Sequence, residues 1–327
     1  MDRDTFRLGC AARRGAKNPT RFREAAWEWM VRTGHSGFGG RDHFGLETWP
    51  ESPTWCFQRF GMSCTGLDDR RVVCIAGEHE DYYDPDFFIY NDIAVLRPRD
   101  GEEHVERTTC GIELFGYGES RFPPTDFHTA TLVGDQIWVI GNVGYPEQRR
   151  PGTTPIFVLD TRTWKFRKVH AEGDAPGWIH RHAASYDAAT HSIVVGSGEV
   201  WNGEAFERAD ATWRLELRQR RWERLPRATM RRRFSVCSAE PDDPSILAVS
   251  GLRSRLHPVI RGSGDLETWS AEIGRALVVY EGFSDVELTI DGLLDDRELG
   301  EIVDGIGRNV QARTGAPWEL RACAEYR

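Results

Sequence analysis

Apolar positions along the chain fall into short runs separated by polar stretches, rather than into long helical stripes. Four of these runs end in a glycine, and they read RRVVCIAG, DQIWVIG, HSIVVGSG and SILAVSG. The glycines taken as the repeated position are Gly77, Gly141, Gly196 (the first of two in the third run) and Gly251, which are separated by 64, 55 and 55 residues. Short β-branched runs predict strands, and a recurring spacing of this size predicts a repeated structural unit.

Each of the four glycines lies within the same order of elements. A short apolar or hydroxyl-rich run precedes the glycine-ending run, and another apolar run follows the glycine by about 16 to 19 residues. In the two middle units the chain then reaches a tryptophan, Trp164 or Trp222, before a break rich in glycine or proline. The pattern therefore predicts four antiparallel strands in each unit, with the glycine after the second strand.

This order resembles the Kelch repeat. That repeat has an Arg- or His-led first strand, a glycine after the second, an Asn-Asp type third strand and a tryptophan in the fourth. The resemblance covers about Phe44 to Trp269 and is most specific in the two middle units. It implies an all-β fold, a Kelch-like β-propeller of four to five blades spanning residues 41–273. The four glycines should then occupy equivalent positions at the ends of second strands.

The residues before the repeats, 1–40, predict an N-terminal segment with one amphipathic helix. Asn18 is the expected N-cap, Pro19 lies in the first turn, and Gly34 ends the helix. The stretch around Trp49 resembles the end of a repeat. We therefore expect that stretch to supply the outer strand of the last blade and to close the ring.

The last residues, 274–327, differ in character from the repeats and predict a small α/β appendage. RALVVYEG and DVELTIDG are strand-like, and a capping box from Asp295 to Glu298 opens a stretch with apolar residues at helical spacing. No cluster of chemically competent residues occurs here. The appendage is therefore expected to have a stabilising or interaction role.

Composition indicates which kinds of partner and which cellular compartment to expect. The chain carries a formal net charge of -9, whereas surfaces that bind nucleic acid are basic, so no nucleic-acid partner is expected. No apolar run approaches ~18 residues, and we therefore expect no membrane-spanning helix and no membrane partner. Seven cysteines without a CxxC pair are typical of reduced thiols, which predicts a cytoplasmic protein.

The repeat topology predicts that chemically competent residues meet at one end of the ring. Strands of an up-and-down sheet alternate in direction, so the loops after second strands emerge beside the connections between sheets. The first such loop places six carboxylates or imidazoles within residues 78–86. The expected binding face consists of Glu80, Asp81, Tyr82, Tyr83, Asp84, Asp86, Asp126, Arg149, Arg181 and Glu199.

Three kinds of function are compatible with this face. Binding of a protein partner or a small polar ligand is favoured, because Tyr, Trp and Arg are typical recognition anchors. A metal-dependent enzyme is the first alternative. Catalysis could also be general acid–base catalysis on a sugar-like substrate, by Glu78 or Glu80 paired with Asp126. A purely structural or assembly module is the last. The candidate ligands for a divalent metal such as iron, manganese or zinc are His79, His180, His128 and His182.

The four histidines differ in their relation to the repeat. The Kelch resemblance implies that His128 and His182 occupy a position where histidine often bonds neighbouring backbone and braces the blade. His79 and His180 lie outside the repeat pattern. These two are therefore the stronger candidates for a functional role.

Overall fold

A computed structural model describes residues 1–48, 50, 52–79, 87–102, 105–209 and 211–225. Beyond residue 225 it describes the backbone of strands between residues 230 and 322 and the helical residues 297, 299–301, 303–305 and 308. The predicted loop residues Glu80, Asp81, Tyr82, Tyr83, Asp84 and Asp86 lie outside the described residues, as do Trp49 and Gly251.

Three short α-helices lie in the N-terminal part of the chain. They are α1 Arg3–Gly9, α2 Ala25–Thr33 and α3 Gly37–His43, and one 3-10 turn follows later at Pro146–Gln148. In the described part of the chain, no helix has the length and apolar character needed to cross a membrane.

Strands are the predominant secondary structure of the described chain, as expected for an all-β protein. In chain order they begin with β1 Thr20–Phe22, β2 Ser63–Gly66, β3 Val72–Ile75, β4 Glu78–His79, β5 Phe88–Ile89, β6 Asp92–Arg97, β7 Val105–Glu106, β8 Gly111–Gly116, β9 Thr129–Val133, β10 Gln136–Ile140, β11 Ile156–Asp160, β12 Lys165–Lys168 and β13 Glu172–Gly173. They continue with β14 Trp178–His180, β15 Ala183–Asp187, β16 Ser192–Gly196, β17 Glu199–Trp201, β18 Phe206–Arg208, β19 Thr212–Glu216, β20 Arg221–Leu225, β21 Met230–Ser238, β22 Ile260–Arg261, β23 Thr268–Ile273, β24 Ala276–Gly282, β25 Val286–Gly292 and β26 Trp318–Ala322.

Three antiparallel sheets each contain a meander of four strands. The first sheet has the order β2-β3-β6-β8, the second β9-β10-β11-β12, and the third β15-β16-β19-β20. An extra strand lies on the outer edge of two of them, because β1 pairs with β8 and β13 pairs in parallel with β20. These sheets correspond to the first three repeats of the sequence.

Two hydrophobic cores lie between the three sheets, one between the first and second sheets and one between the second and third. Alternate side chains of a strand point to opposite faces, and those of β10 divide between the two cores. Ile137 and Val139 pack with the first sheet, whereas Trp138 and Ile140 pack with the third. The second sheet is therefore buried on both faces, with the first and third sheets on either side of it.

Glycine permits a close approach of loop to backbone after each second strand. Gly77 and Gly141 have φ values of 94° and 84°. In the third sheet Gly196 is the last paired residue of β16, opposite Ala183. Gly198, with φ 81°, lies two residues beyond it, as Gly77 does beyond Ile75, whereas Gly141 directly follows β10. The expected equivalence of Gly196 is thus wrong, because Gly77 and Gly141 follow the paired residues of their strands whereas Gly196 is itself paired. A Cβ on Gly198 would meet the backbone of His180 and His182, in the connection that precedes the third sheet.

Histidines join neighbouring sheets at the start of their first strands. His128 Nε2 lies 2.8 Å from Ser63 Oγ in the first sheet, and His182 Nε2 lies 2.9 Å from Thr129 Oγ1 in the second. Burial lowers the pKa of each imidazole to about 3, so both are neutral at pH 7. The expected bracing is seen, but its partner is a side-chain hydroxyl of the preceding sheet rather than backbone.

The N-terminal segment differs from its prediction. Residues 20–22 form β1 rather than helix, and Asn18 bonds the backbone of Phe166 in the second sheet instead of capping α2. The end of the helix at Gly34 is confirmed. Residues 52–60 form isolated bridges at Thr54 and Phe60 and no strand, so the predicted closing strand is not found within this stretch.

A buried ion pair attaches the stretch that precedes β2 to the first sheet. The guanidinium group of Arg59 donates hydrogen bonds to both carboxylate oxygens of Asp92, and its Nε donates to the carbonyl of Cys56 at 2.8 Å. Trp55 Nε1 donates to Asp92 Oδ2 at 2.7 Å. Both charged side chains are almost fully buried, so each depends on the other for neutralisation of its charge.

The C-terminal strands form a five-stranded sheet in the order β23-β24-β25-β21-β26. Strand β21, expected to begin a fourth repeat, pairs with β25 along Met230–Val236 and with β26 along Phe234–Ser238. The boundary expected between residues 273 and 274 falls between β23 and β24, which pair with each other. The predicted appendage strands therefore belong to the same sheet as the end of the predicted propeller, and the described residues do not trace a closed ring.

Candidate functional site

Loops after second strands meet the connections between sheets at one end of the structure. The Gly77 N–H donates to Thr125 O at 2.9 Å, which joins the first loop to the first connection. The Asn142 N–H donates to Ile179 O at 2.9 Å, which joins the second loop to the second connection. We call this end the loop face and define it as residues 76–79, 87–91, 117–128, 141–155, 169–182 and 197–209.

Asp126 lies at the centre of these backbone contacts. Its side chain is fully buried, and its Oδ1 accepts a hydrogen bond from the Gly144 N–H at 2.7 Å. Oδ2 has no partner with hydrogen-bonding geometry in the described part of the chain. The loop face therefore holds a buried carboxyl group with unused hydrogen-bonding capacity.

Burial raises the pKa of Asp126 above its ordinary value. The hydrogen bond from the Gly144 N–H, the adjacent Glu78 side chain and the positive charge of Arg149 act in the opposite direction but do not cancel the effect of burial. The structure thus brings Glu78 next to Asp126, one of the carboxyl pairs that the sequence suggested, whereas Glu80 lies outside the described residues.

Arg149 is held by backbone carbonyls of its own loop and by two aromatic rings. Its Nε and Nη2 donate to Val143 O at 3.2 Å and Gly144 O at 3.0 Å. Its guanidinium carbon lies 4.8 Å from the centre of the Phe206 ring and 5.3 Å from that of Trp201. These contacts fix a positive charge on the loop face, between the second and third sheets.

His180 is buried beside this guanidinium. Its ring lies 4.3 Å from Phe206, and its Nε2 lies 3.2 Å from Glu199 Oε2 in an orientation that is not that of a hydrogen bond. Burial, followed by the charges of Arg181 and Arg149, lowers the pKa of His180 to about 4. His180 is therefore a neutral imidazole near pH 7, and neither ring nitrogen has a hydrogen-bond partner among the described residues.

The other predicted site residues take different positions. Arg181 is exposed and its guanidinium carbon lies 3.8 Å from the Phe127 ring centre. His79 is buried in β4, opposite Phe88 of β5. The first loop packs against the second next to its undescribed part, because Tyr145 Oη accepts from the Ile89 N–H at 3.0 Å.

The four predicted metal ligands are not assembled as one set. His128 and His182 face hydroxyl groups of neighbouring sheets, which explains their burial without a metal ion. Among the residues that the structure describes, no group of three His, Cys, Asp or Glu side chains could hold a metal ion.

Comparison with known proteins finds structural matches but no match by sequence. No family model matches the chain, and no curated protein matches it by sequence. Among 90 matching chains of solved structures, one titled "Structure of YjhT" has a TM-score of 0.35 and 11% identity. The match covers 77% of this chain and 85% of that one. A likeness of this size carries no argument about fold or function.

Three residues of the site were not identified from the sequence, namely the aromatic residues Trp201 and Phe206 and the amide residue Asn142. Trp201 and Phe206 lie opposite each other in the β17–β18 hairpin, in a stretch that was interpreted as a loop. The Asn202-Gly203 pair between aromatic residues was the available signal, since Asn-Gly is typical of short hairpin turns. The role of Asn142 had no such signal, because its Oδ1 accepts from the Asp126 N–H only after the two loops have met.

Proposed function

We propose that the chain adopts a Kelch-like propeller arrangement with its ligand site on the loop face. Support comes from three consecutive four-stranded meanders that pack face to face around the second sheet. Their first strands, β2, β9 and β15, also lie next to one another, as the inner strands of a radial arrangement would. The C-terminal sheet is then the element that completes the arrangement, since its strand β23 lies beside β2.

We further propose that the loop face binds a small polar ligand that bears hydroxyl groups. The observation that carries this proposal is the pair of buried groups, Asp126 and His180, that keep unused hydrogen-bonding capacity near Arg149. Buried polar groups are normally paired, because an unsatisfied one costs about 1–3 kcal/mol. A ligand that satisfies both groups would recover that cost on binding.

The chemistry of the three side chains defines the class of ligand. A neutral imidazole offers one donor and one acceptor, a carboxyl group accepts or donates according to its protonation, and a guanidinium only donates. Hydroxyl groups match all three because they both donate and accept. The rings of Trp201 and Phe206 lie beside them and provide apolar area for the carbon side of such a molecule.

A protein partner is less well supported at this position. Two of the three polar groups are recessed, since Asp126 and His180 are at most 3% exposed, while Arg149 is half-buried. Protein interfaces rely instead on protruding aromatic or arginine anchors. Glu199, which is about half exposed, would form part of the rim of the site.

Acid–base catalysis is a second candidate, and one observation favours it. Burial raises the pKa of Asp126, while the Glu78 side chain interacts with the same carboxyl group. Two neighbouring carboxyl groups whose pKa values are moved apart can serve as acid and base in one reaction. In this candidate function the bound hydroxyl-bearing molecule is the substrate.

The test is calorimetric titration of the full chain with three probes, namely glucose, glucuronate and myo-inositol. We expect at least one probe to bind, and we expect His180→Phe and Asp126→Asn each to weaken that binding about tenfold or more, as for loss of a hydrogen bond to a buried group. Asp135→Asn is the matched control, because Asp135 lies in the β9–β10 turn, away from the loop face.

The outcomes distinguish ligand binding from catalysis, and they also show when both candidate functions are wrong. If Asp126→Asn still binds the probe but no longer converts it, the carboxyl group acts in catalysis. If the folded variants bind as tightly as the unaltered chain, the site does not lie at Asp126 and His180. Absence of binding by all three probes would contradict the proposed ligand class.

A further inference from the structure

Two cysteines lie directly opposite each other in the first sheet, away from the loop-face site. Cys64 of β2 and Cys74 of β3 are register partners in an antiparallel pair. Their Sγ atoms are 3.3 Å apart, and both are thiols in this structure. The two sulfur atoms are therefore already in contact.

The backbone between them is suited to a disulfide bond. Directly opposite residues of an antiparallel pair have Cα atoms about 4.5 or 5.5 Å apart, according to the type of pair. Both values fall inside the range of about 4.4–6.8 Å found for disulfide-bonded cysteines. Bond formation then needs rotation of the side chains and no change of strand register.

Access to solvent differs between the two thiols. Cys64 is half-buried, whereas Cys74 is 1% exposed and packs in the core between the first sheet and the N-terminal segment. An oxidant therefore meets Cys64 first, and Cys74 is the group placed to complete the reaction. Cys110 provides the contrast, because its thiol is buried and its pKa is raised to about 11 by that burial.

We propose that Cys64 and Cys74 are a reversible dithiol–disulfide modification site that reacts with small disulfides such as oxidised glutathione. The Cys64 thiolate attacks one sulfur of the oxidant, its S–S bond breaks, and one glutathione leaves. Cys74 then loses its proton and attacks Cys64 Sγ, which displaces the second glutathione. Two protein thiols and one oxidised glutathione thus give one protein disulfide and two reduced glutathiones.

The location of the pair gives the modification a structural consequence. Cys64 follows Ser63, the hydroxyl partner of His128 in the second sheet. A bond from Cys64 to Cys74 would tie that strand covalently to β3. Because the bond also restricts the unfolded chain, the oxidised protein should melt at a higher temperature than the reduced protein.

The experiment incubates the folded full chain with oxidised glutathione, denatures it in acid, alkylates it and maps the peptides by mass spectrometry. We expect loss of two of the seven alkylatable thiols, a peptide pair linked through Cys64 and Cys74, and full recovery after dithiothreitol. Cys110 should remain alkylatable and serves as the internal control. Cys64→Ser and Cys74→Ser should each abolish the link and the rise in melting temperature.

Three results would overturn the proposal. One is glutathione that remains bound to Cys64 without transfer to Cys74. Another is complete alkylation of both residues after treatment of the folded chain, and the third is a link that appears only in denaturant. Because peptide mapping uses the unaltered protein, the answer does not depend on whether either serine variant folds.

Discussion

Acid should destabilise this protein through the two histidines that join neighbouring sheets. In the folded chain, burial lowers the pKa of His128 and of His182 from an ordinary value of 6.5 to about 3. In the unfolded chain each imidazole is solvated and has the ordinary pKa. The unfolded state therefore binds two protons between pH 6.5 and pH 3 that the folded state does not bind.

The sign and size of the effect follow from this difference. The stability associated with each neutral histidine is fully present above pH 6.5 and is lost progressively as the pH falls towards 3. At pH 5, protonation of one such residue in the unfolded chain lowers the free energy of unfolding by about 2 kcal/mol. The two together should lower it by about 4 kcal/mol, a large part of the 5–15 kcal/mol typical of a folded domain.

Urea unfolding at pH 7.5 and pH 5 measures this loss. His182→Gln removes one titrating group and keeps an amide that can bond Thr129, so it should reduce the pH dependence by about 2 kcal/mol. His170→Gln is the matched control, because it removes an exposed histidine. The reasoning is refuted if the two variants show the same pH dependence, or if the unaltered chain is equally stable at both pH values.

Three further changes test other parts of the fold. Arg59→Met should cost about 3–5 kcal/mol in urea unfolding, because it leaves Asp92 buried without its cation, and adding Asp92→Leu should recover part of the loss. Gly141→Ala should cost more than about 1 kcal/mol, since its φ is 84° and a Cβ would meet the Ile179 carbonyl and the His182 ring. Gly134→Ala, whose Cβ would meet nothing within 4 Å, should cost less, and equal losses would contradict the steric explanation. Removal of residues 283–327 takes away both neighbours of β21, so the shortened chain should be insoluble or unfolded; a soluble, cooperatively melting product would contradict this.

The repeat and its strands could be predicted because they depend on local patterns. Short β-branched runs, a glycine after the second strand and a tryptophan in the fourth are each visible within a few residues. The choice between Gly196 and Gly198 could not be made in this way. Only the pairing of β16 with its neighbours decides which of the two glycines lies against the connection that precedes the third sheet.

The errors at the two ends of the chain have a common physical cause. Thr20–Phe22 became β1 because the outer edge of β8 offers hydrogen-bonding groups from residues far along the chain. Strand β21 similarly pairs with β25 and β26, which begin about 50 and 80 residues later. Local propensity carries no information about such distant partners.

The sequence was sufficient to name many residues of the candidate site, but it was not sufficient to predict how their side chains are arranged. Asp126, Arg149, His180 and Glu199 do lie on the loop face, because the alternation of strand direction places the loops there. The distinction between His180 and the pair His128 and His182 depends on hydroxyl groups in the preceding sheet. Those hydroxyls are about 50 to 65 residues away in sequence, so their contact with a given histidine could not be inferred from its neighbours.

The histidine contacts between sheets also have a direction along the chain. Each contact joins a histidine to the hydroxyl group of a residue that is synthesised earlier, since Ser63 precedes His128 and Thr129 precedes His182. During synthesis from the N-terminus, a new sheet therefore leaves the ribosome carrying the group that attaches it to the sheet already present. Growth in the order of translation needs no later element to hold the second sheet on the first, or the third on the second.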